Sequence, residues 1–172
     1  ESNQSAASLG WSVATAGNVN GDDYDDVYDD VIVGAPWYSN GQANEGSAFV
    51  YYGSENGLST VAPSLSGPAP QPDWRIESDQ EFSYFGIAVS TAGDVNKDGY
   101  ADIIIGADYY DNGETDEGRA FLYLGSASGL SASVSWTAES GRTYARFGYS
   151  VATAGDVNGD GYSDVIVGEP WF

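Results

Sequence analysis

The strongest constraint on the fold of this chain is a segment that it repeats. Residues 147–168 open with Phe147-Gly148, continue through small and β-branched residues from Ser150 to Ala154, pass an acidic loop, and end in Val165-Ile166-Val167-Gly168. The loop places Asp156, Asn158, Asp160 and Asp164 at relative positions 1, 3, 5 and 9, with Gly161 at position 6. Residues 85–106 repeat this with unchanged spacing: Phe85-Gly86, then Asp94, Asn96, Asp98, Gly99 and Asp102, then Ile103-Ile104-Ile105-Gly106. A first copy runs from Leu9-Gly10 to Gly34. It begins Asn18, Asn20, Asp22 and carries four extra residues before Val31-Ile32-Val33-Gly34. Three copies in register constrain the architecture more than any single element does.

Each copy reads as strand, acidic loop, strand. Alternating oxygen-bearing residues in a tight loop turn their side chains towards one centre, and glycine at position 6 permits the positive φ of a sharp reversal. Donors at 1, 3 and 5, glycine at 6 and a backbone carbonyl at 7 follow the logic of an EF-hand loop. Here the carbonyls belong to Tyr100 and Tyr162. An EF-hand closes with glutamate at position 12 and sits between helices. These loops close with aspartate at position 9 and run into an apolar β-branched strand, so a cation loop inside a β-hairpin is predicted. Hard oxygen donors, in a chain without cysteine or histidine, favour Ca²⁺ over Mg²⁺. Aspartate, asparagine and glycine also serve plain turns. A turn does not require four oxygen donors at fixed spacing in two places, and the packed carboxylates would repel without a cation.

The first loop is predicted to be weaker, because Asn18 removes a charge. Its donors are Asn18, Asn20 and Asp22, with two candidates for the closing position. Asp26 keeps the spacing from Asn18. Asp30 keeps the spacing to the strand, lying four before Gly34 as Asp102 lies four before Gly106. Asp30 is preferred, since the strand fixes where a closing ligand sits.

Phe-Gly, then Ala-Gly-Asp-Val-Asn-x-Asp-Gly-Tyr-x-Asp, then Val-Gly-x-Pro resembles the FG-GAP repeat of integrin α-subunit β-propellers, which has relatives in bacterial extracellular proteins. The resemblance covers nearly the whole chain. Gly-Ala-Pro is intact only at Gly34-Ala35-Pro36, becoming Gly106-Ala107-Asp108 and Gly168-Glu169-Pro170. Leu9 replaces the first phenylalanine, and Asn18 the leading aspartate. The resemblance implies calcium binding in the loops, Phe85 and Phe147 packed between blades, an extracellular location and an adhesive role.

Taken in order, the chain divides into a first repeat over 1–80, a second over 81–142 and the first half of a third over 143–172. Four predicted strands per full repeat and continuous apolar inner strands imply an all-β fold, a β-propeller segment of about two and a half four-stranded antiparallel blades. A β-sandwich with calcium loops is the alternative. Residues 61–72 contain Pro63, Pro68, Pro70 and Pro72, which rules out a central strand or helix there. This insertion and the longer first loop account for a Gly10-to-Gly86 spacing of 76 residues against 62 from Gly86 to Gly148. It reads as a tolerated surface insertion. The last half blade implies open edges that attract further chain, either the rest of a longer protein or further copies.

The 172 residues carry a formal charge of −21, from 26 acidic and 5 basic side chains. Binding to nucleic acid through phosphates is excluded, because it needs basic patches. No apolar run approaches the length of a membrane span, so no membrane insertion is predicted. The chain contains no methionine, so a processed or excised segment is expected. Trp37, Tyr38, Tyr109, Tyr110 and Trp171 fall in equivalent loops after strands. They could pack between blades, the favoured reading, or stack on sugars. Carboxylate pairs can serve glycosidases, yet here they sit in repeated loops. Catalysis normally needs one asymmetric site, so the chain is predicted not to be an enzyme. A structural or adhesive role towards a protein or glycan is expected, with a lectin-like module or a non-catalytic part of a secreted hydrolase as the alternative.

Overall fold

The computed structural model describes residues 7–21, 28–55, 57–58 and 71–171. Asp22, Asp26 and residues 61–70 of the proline-rich insertion lie outside them. Ten strands form three antiparallel sheets. The first sheet is β1 (Ser12–Gly17), β2 (Asp30–Ala35), β3 (Ser47–Tyr51) and β4 (Trp74–Glu77), paired in chain order. The second repeats that order with β5 (Ala88–Gly93), β6 (Asp102–Ala107), β7 (Arg119–Tyr123) and β8 (Trp136–Glu139). The third has two strands, β9 (Ser150–Gly155) and β10 (Asp164–Gly168). This is the blade architecture of a propeller: β5 packs against both β1 and β9, so the first strands of neighbouring sheets stand side by side.

The sequence explains which strands lie deepest. In β6 the run Asp102-Ile103-Ile104-Ile105-Gly106-Ala107 has no polar alternation, and all six residues are buried. A strand covered on both faces needs apolar side chains on both. β2 has the same kind of sequence, but Val31 and Val33 are only half-buried, because among the described residues the first sheet has a neighbouring sheet on one face alone. Phe85 is fully buried between the first two sheets, with its ring 5.2 Å edge-on from Phe121. Phe147 packs against the cluster of Ala92, Ile104, Ala120 and Leu122 in the second sheet. Burying one such side chain contributes about 1.5–3 kcal/mol.

Backbone contacts fasten the blades as well. Gly46 and Gly118 form parallel bridges to Phe85 and Phe147 in the following repeat. The Phe85 amide donates to the Glu45 carbonyl at 3.2 Å, and the Phe147 amide to that of Glu117 at 2.9 Å. Gly106 allows the closest approach: a Cβ there would collide with the carbonyl of Gly148 in the next repeat. Among the described residues no helix is long and apolar enough to cross a membrane.

Candidate metal centre

The acidic loops join the first and second strands of each sheet, and each such hairpin contains a register shift beside the loop. In the second loop the backbone folds around Asp94. Its Oδ1 accepts the amide of Asp98 at 3.1 Å and its Oδ2 that of Gly99 at 2.9 Å. Asn96 Oδ1 accepts the Asp98 amide at 3.1 Å, and Asp98 Oδ1 accepts the Tyr100 amide at 3.0 Å. The third loop repeats this arrangement. Asp156 accepts the amides of Gly159, Asp160 and Gly161, Asn158 that of Asp160 at 2.8 Å, and Asp160 that of Tyr162 at 2.9 Å. Gly99 and Gly161, at position 6, have φ of 92° and 88°, the left-handed region that the turn requires.

The closing aspartate has a second task that its spacing alone did not reveal. Asp102 is fully buried. Its Oδ2 accepts the Val95 amide at 2.7 Å, inside the loop, and its Oδ1 the Gly125 amide at 2.9 Å, just beyond β7. It therefore ties the hairpin loop to the far end of the third strand. Asp30 does the same in the first repeat, accepting the Val19 amide and the Gly53 amide, each at 2.8 Å. Asp164 accepts the equivalent loop amide, that of Val157, at 2.9 Å. Asp30 thus occupies the structural place of Asp102 and Asp164. Asn18 shapes the near side of the first loop through a 2.6 Å bond from the Gly21 amide to its Oδ1, and Asn20 lies half-buried beside it.

These carboxylates sit in opposed electrostatic settings. Burial pushes the Asp102 carboxyl up to about 6, the Val95 and Gly125 amides pull it back, and the charges of Asp98 and Asp94 push it up again. Asp156 is held below the ordinary range chiefly by the Gly161 amide, with Gly159, Asp160 and the Lys97 charge adding to the effect. A divalent cation beside either would favour the ionised form.

The donors fit a hard cation by type. Asp94, Asn96, Asp98 and Asp102, with Asp156, Asn158, Asp160 and Asp164, offer oxygen on nine-residue loops. They fit less by convergence. Among the described residues no three carboxylates gather into a group that could hold a metal ion. The side chains are instead turned onto loop amides, and the Asn96 amide nitrogen donates to Asp98 Oδ2 at 2.8 Å. Asp94 Oδ1 and Oδ2 each accept one amide and keep a further lone pair for a cation, whereas Asp156 Oδ1 accepts both the Gly159 and Asp160 amides and the lone pair left for a cation is on Oδ2.

The aromatic loops lie at the other end of the sheets, where β2, β6 and β10 finish. Tyr38 and Tyr110 pack inside their own sheets, edge-on to Phe49 and Phe121 at 5.9 and 5.3 Å. Trp37, Tyr84 and Tyr109 form a row across the first two repeats, with Tyr84 6.0 Å from Trp37 and 4.9 Å from Tyr109. Arg146 continues it, with its guanidinium 3.9 Å over Tyr109 and 4.6 Å over Trp171. Packing between blades accounts for Trp37 and Tyr109, and packing within a sheet for Tyr38 and Tyr110. Trp11, Tyr149 and Trp171 remain exposed at the two ends of the row.

Two buried carboxylates escaped the reading of the sequence. Glu117 Oε1 accepts the Asn112 amide at 2.7 Å and its Oε2 the Gly141 amide at 3.1 Å, joining the loop before β7 to the loop after β8. Glu45 is its counterpart before β3, bonded through Oε1 to the Asn40 amide, and burial raises its carboxyl. The shared Glu-Gly at 45–46 and 117–118 was the available signal.

Residues 85–123 and 147–172 match the FG-GAP repeat family. Over 164 residues, 95% of this chain and 12% of the relative, it is 34% identical to integrin alpha-6 of Homo sapiens. It is 35% identical to integrin alpha-V of Gallus gallus over 96% of this chain and 15% of that protein. It is 34% identical to phosphatidylinositol-glycan-specific phospholipase D of Rattus norvegicus, over 96% of this chain and 19% of the relative. The chain therefore spans less than a fifth of the length of each of these relatives.

Proposed function

The chain carries the repeats of the FG-GAP family, and from that premise we propose that it is a calcium-stabilised β-propeller segment of an extracellular protein, with a structural or adhesive role and no catalytic one. The observation that carries this reading is the pair of loops at 94–102 and 156–164, which share one donor set and one pattern of backbone bonds. In this reading Asp94, Asn96, Asp98, Asp102 and the Tyr100 carbonyl hold one ion. Asp156, Asn158, Asp160, Asp164 and the Tyr162 carbonyl hold a second. Asn18, Asn20, Asp22 and Asp30 hold a third, weaker one. Bound calcium supplies positive charge that relieves the repulsion of the packed carboxylates and pins the loop. Three ions would leave the charge at about −15, starting from −21, so the surface stays strongly acidic.

The relation to integrin alpha chains supports the adhesive, cell-surface part of the proposal. The relation to a phospholipase D extends to under a fifth of that protein and supports no catalytic role for this segment. The surface offered to a protein or glycan is completed by further blades or further copies of the chain. Equilibrium dialysis against Ca²⁺ with Mg²⁺ as competitor tests the metal reading. Retention of two or three calcium ions per chain is expected, and retention of none refutes it.

A second reading rests on the exposed rings of Trp11, Tyr149 and Trp171 at the ends of the aromatic row. Such faces stack on sugars. Binding on a glycan array that disappears in Trp37→Ala or Trp171→Ala would establish a lectin-like module. An array without signal leaves the protein-facing role.

A further inference from the structure

The second and third loops have identical donor sets, but they differ at position 4. The third loop has Gly159 there and the first has Gly21, with φ of 77° and 59°. The second loop has Lys97, at a φ of 64°. A lysine in the left-handed region bears a steric cost that its glycine counterparts avoid. Such local strain is retained where the side chain serves a purpose.

The Lys97 side chain leaves its own loop and reaches the next. Its Nζ lies 5.4 Å from the centroid of the Tyr162 ring, at position 7 of the third loop. It is so close to the turn that a Cβ at Gly161 would collide with the ammonium. The two loops are also joined by backbone, because the Ser163 amide donates to the Asp94 carbonyl at 2.9 Å. The first and second loops share that bond, from Ala101 to the Asn18 carbonyl at 2.8 Å. There the side chain crossing the gap is the uncharged ring of Tyr100, set against Gly21.

We propose that Lys97 is a tethered cation lent by the second loop to the third, competing there with the divalent ion and setting that loop's calcium affinity below the second's. This inference rests on the calcium reading above. The donor types are equal on both loops; beside the deeper burial of Asp102 relative to Asp164, the added ammonium is what separates them. A blade whose metal loop already holds a neighbouring positive charge suffers less carboxylate repulsion when calcium is scarce, and it binds the ion less tightly when calcium is plentiful.

The test is calcium titration of the full chain carrying Asp98→Ala, which disables the second loop, with and without Lys97→Gln. Glutamine keeps a non-glycine residue at position 4 and removes only the charge. The third-loop Kd should fall roughly three- to ten-fold, as expected for removing one charge near a divalent ion in a well-hydrated site. The gain should shrink at high salt, and Lys97→Arg should leave Kd unchanged. The Gly161 amide resonance reports occupancy of the third loop in a chain with the second loop intact, so the result does not depend on Asp98→Ala folding. An unchanged or weakened affinity in Lys97→Gln overturns the inference while leaving the calcium reading intact. A parent chain that binds no calcium ends both.

Discussion

The first and second hairpin loops solve the same problem with different lengths of chain. From Asn18 to Asp30 there are four more residues than from Asp94 to Asp102. Yet the closing aspartates make matching bonds, to Val19 and Gly53 in one case and to Val95 and Gly125 in the other. The position of the closing carboxylate is therefore governed by the strand that follows it and not by the count along the loop. Asp30 keeps its place before the strand although its loop is four residues longer, because moving it would leave two backbone amides without their acceptor. What the insertion does change is the donor set, since Asn18 replaces a carboxylate and the loop between is longer.

The largest effect expected from this comparison concerns the clamp itself. Asp102→Ala and Asp30→Ala should each destabilise by about 2–5 kcal/mol in chelator, because each leaves two backbone amides unpaired. Urea unfolding of both variants beside Asp26→Ala would break the comparison if Asp26→Ala cost as much as Asp30→Ala. Next in size is the ion. Calcium at a hundredfold its Kd should stabilise by about 2.7 kcal/mol per site, visible as a lower melting temperature on chelation. Asp98→Ala or Asp160→Ala should each abolish about one bound ion, and coincident melting curves with and without chelator would refute the expectation.

The two loops should also differ in affinity. Asn18 and the longer closure should make the first site weaker than the second by roughly tenfold, through lost charge and the added entropy of ordering. Calorimetric titration that returned indistinguishable affinities would refute this difference. The smallest effect lies at the other end of the same strands. Pro36 of the first repeat is fully buried, and the second repeat has Asp108 in its place. Burial pushes the Asp108 carboxyl up to about 6, the Arg146 charge lowers it, and Asp116 raises it again. A raised carboxyl pKa favours the protonated native state, so the destabilisation is absent below about pH 4 and fully present above about pH 6. Asp108→Asn should thus gain on the parent by about 1 kcal/mol at pH 7.5 and by little at pH 4. A pH-independent difference would assign the burial cost elsewhere.

Much of this molecule was legible in the chain. The repeated loop and β-branched run, preceded by Phe-Gly in the second and third copies, marked the hairpins β1–β2, β5–β6 and β9–β10, because apolar patterning and turn chemistry are local properties. The covered state of β6 could be read from its isoleucines. The place of Asp30 four residues before Gly34, which Asp102 shares before Gly106, could also be read from sequence, whereas Asp26 lies outside the described residues. Other features joined residues distant in the chain and had no local signature. The Asp102 bond to Gly125, the Glu117 bond to Gly141 and the reach of Lys97 to Gly161 are of this kind.

The sequence by itself determined the repeat, the strand order within each sheet, the oxygen-donor loops and the acidic surface, since each follows from residue type and spacing along a short stretch. Only the tertiary structure decided that Asp30 and Asp102 are buried clamps, that the aromatic loops form a row joined by Arg146, and that a lysine of one loop stands against the turn of the next. Those depend on which sheets lie side by side, and burial and electrostatic contact are properties of that packing.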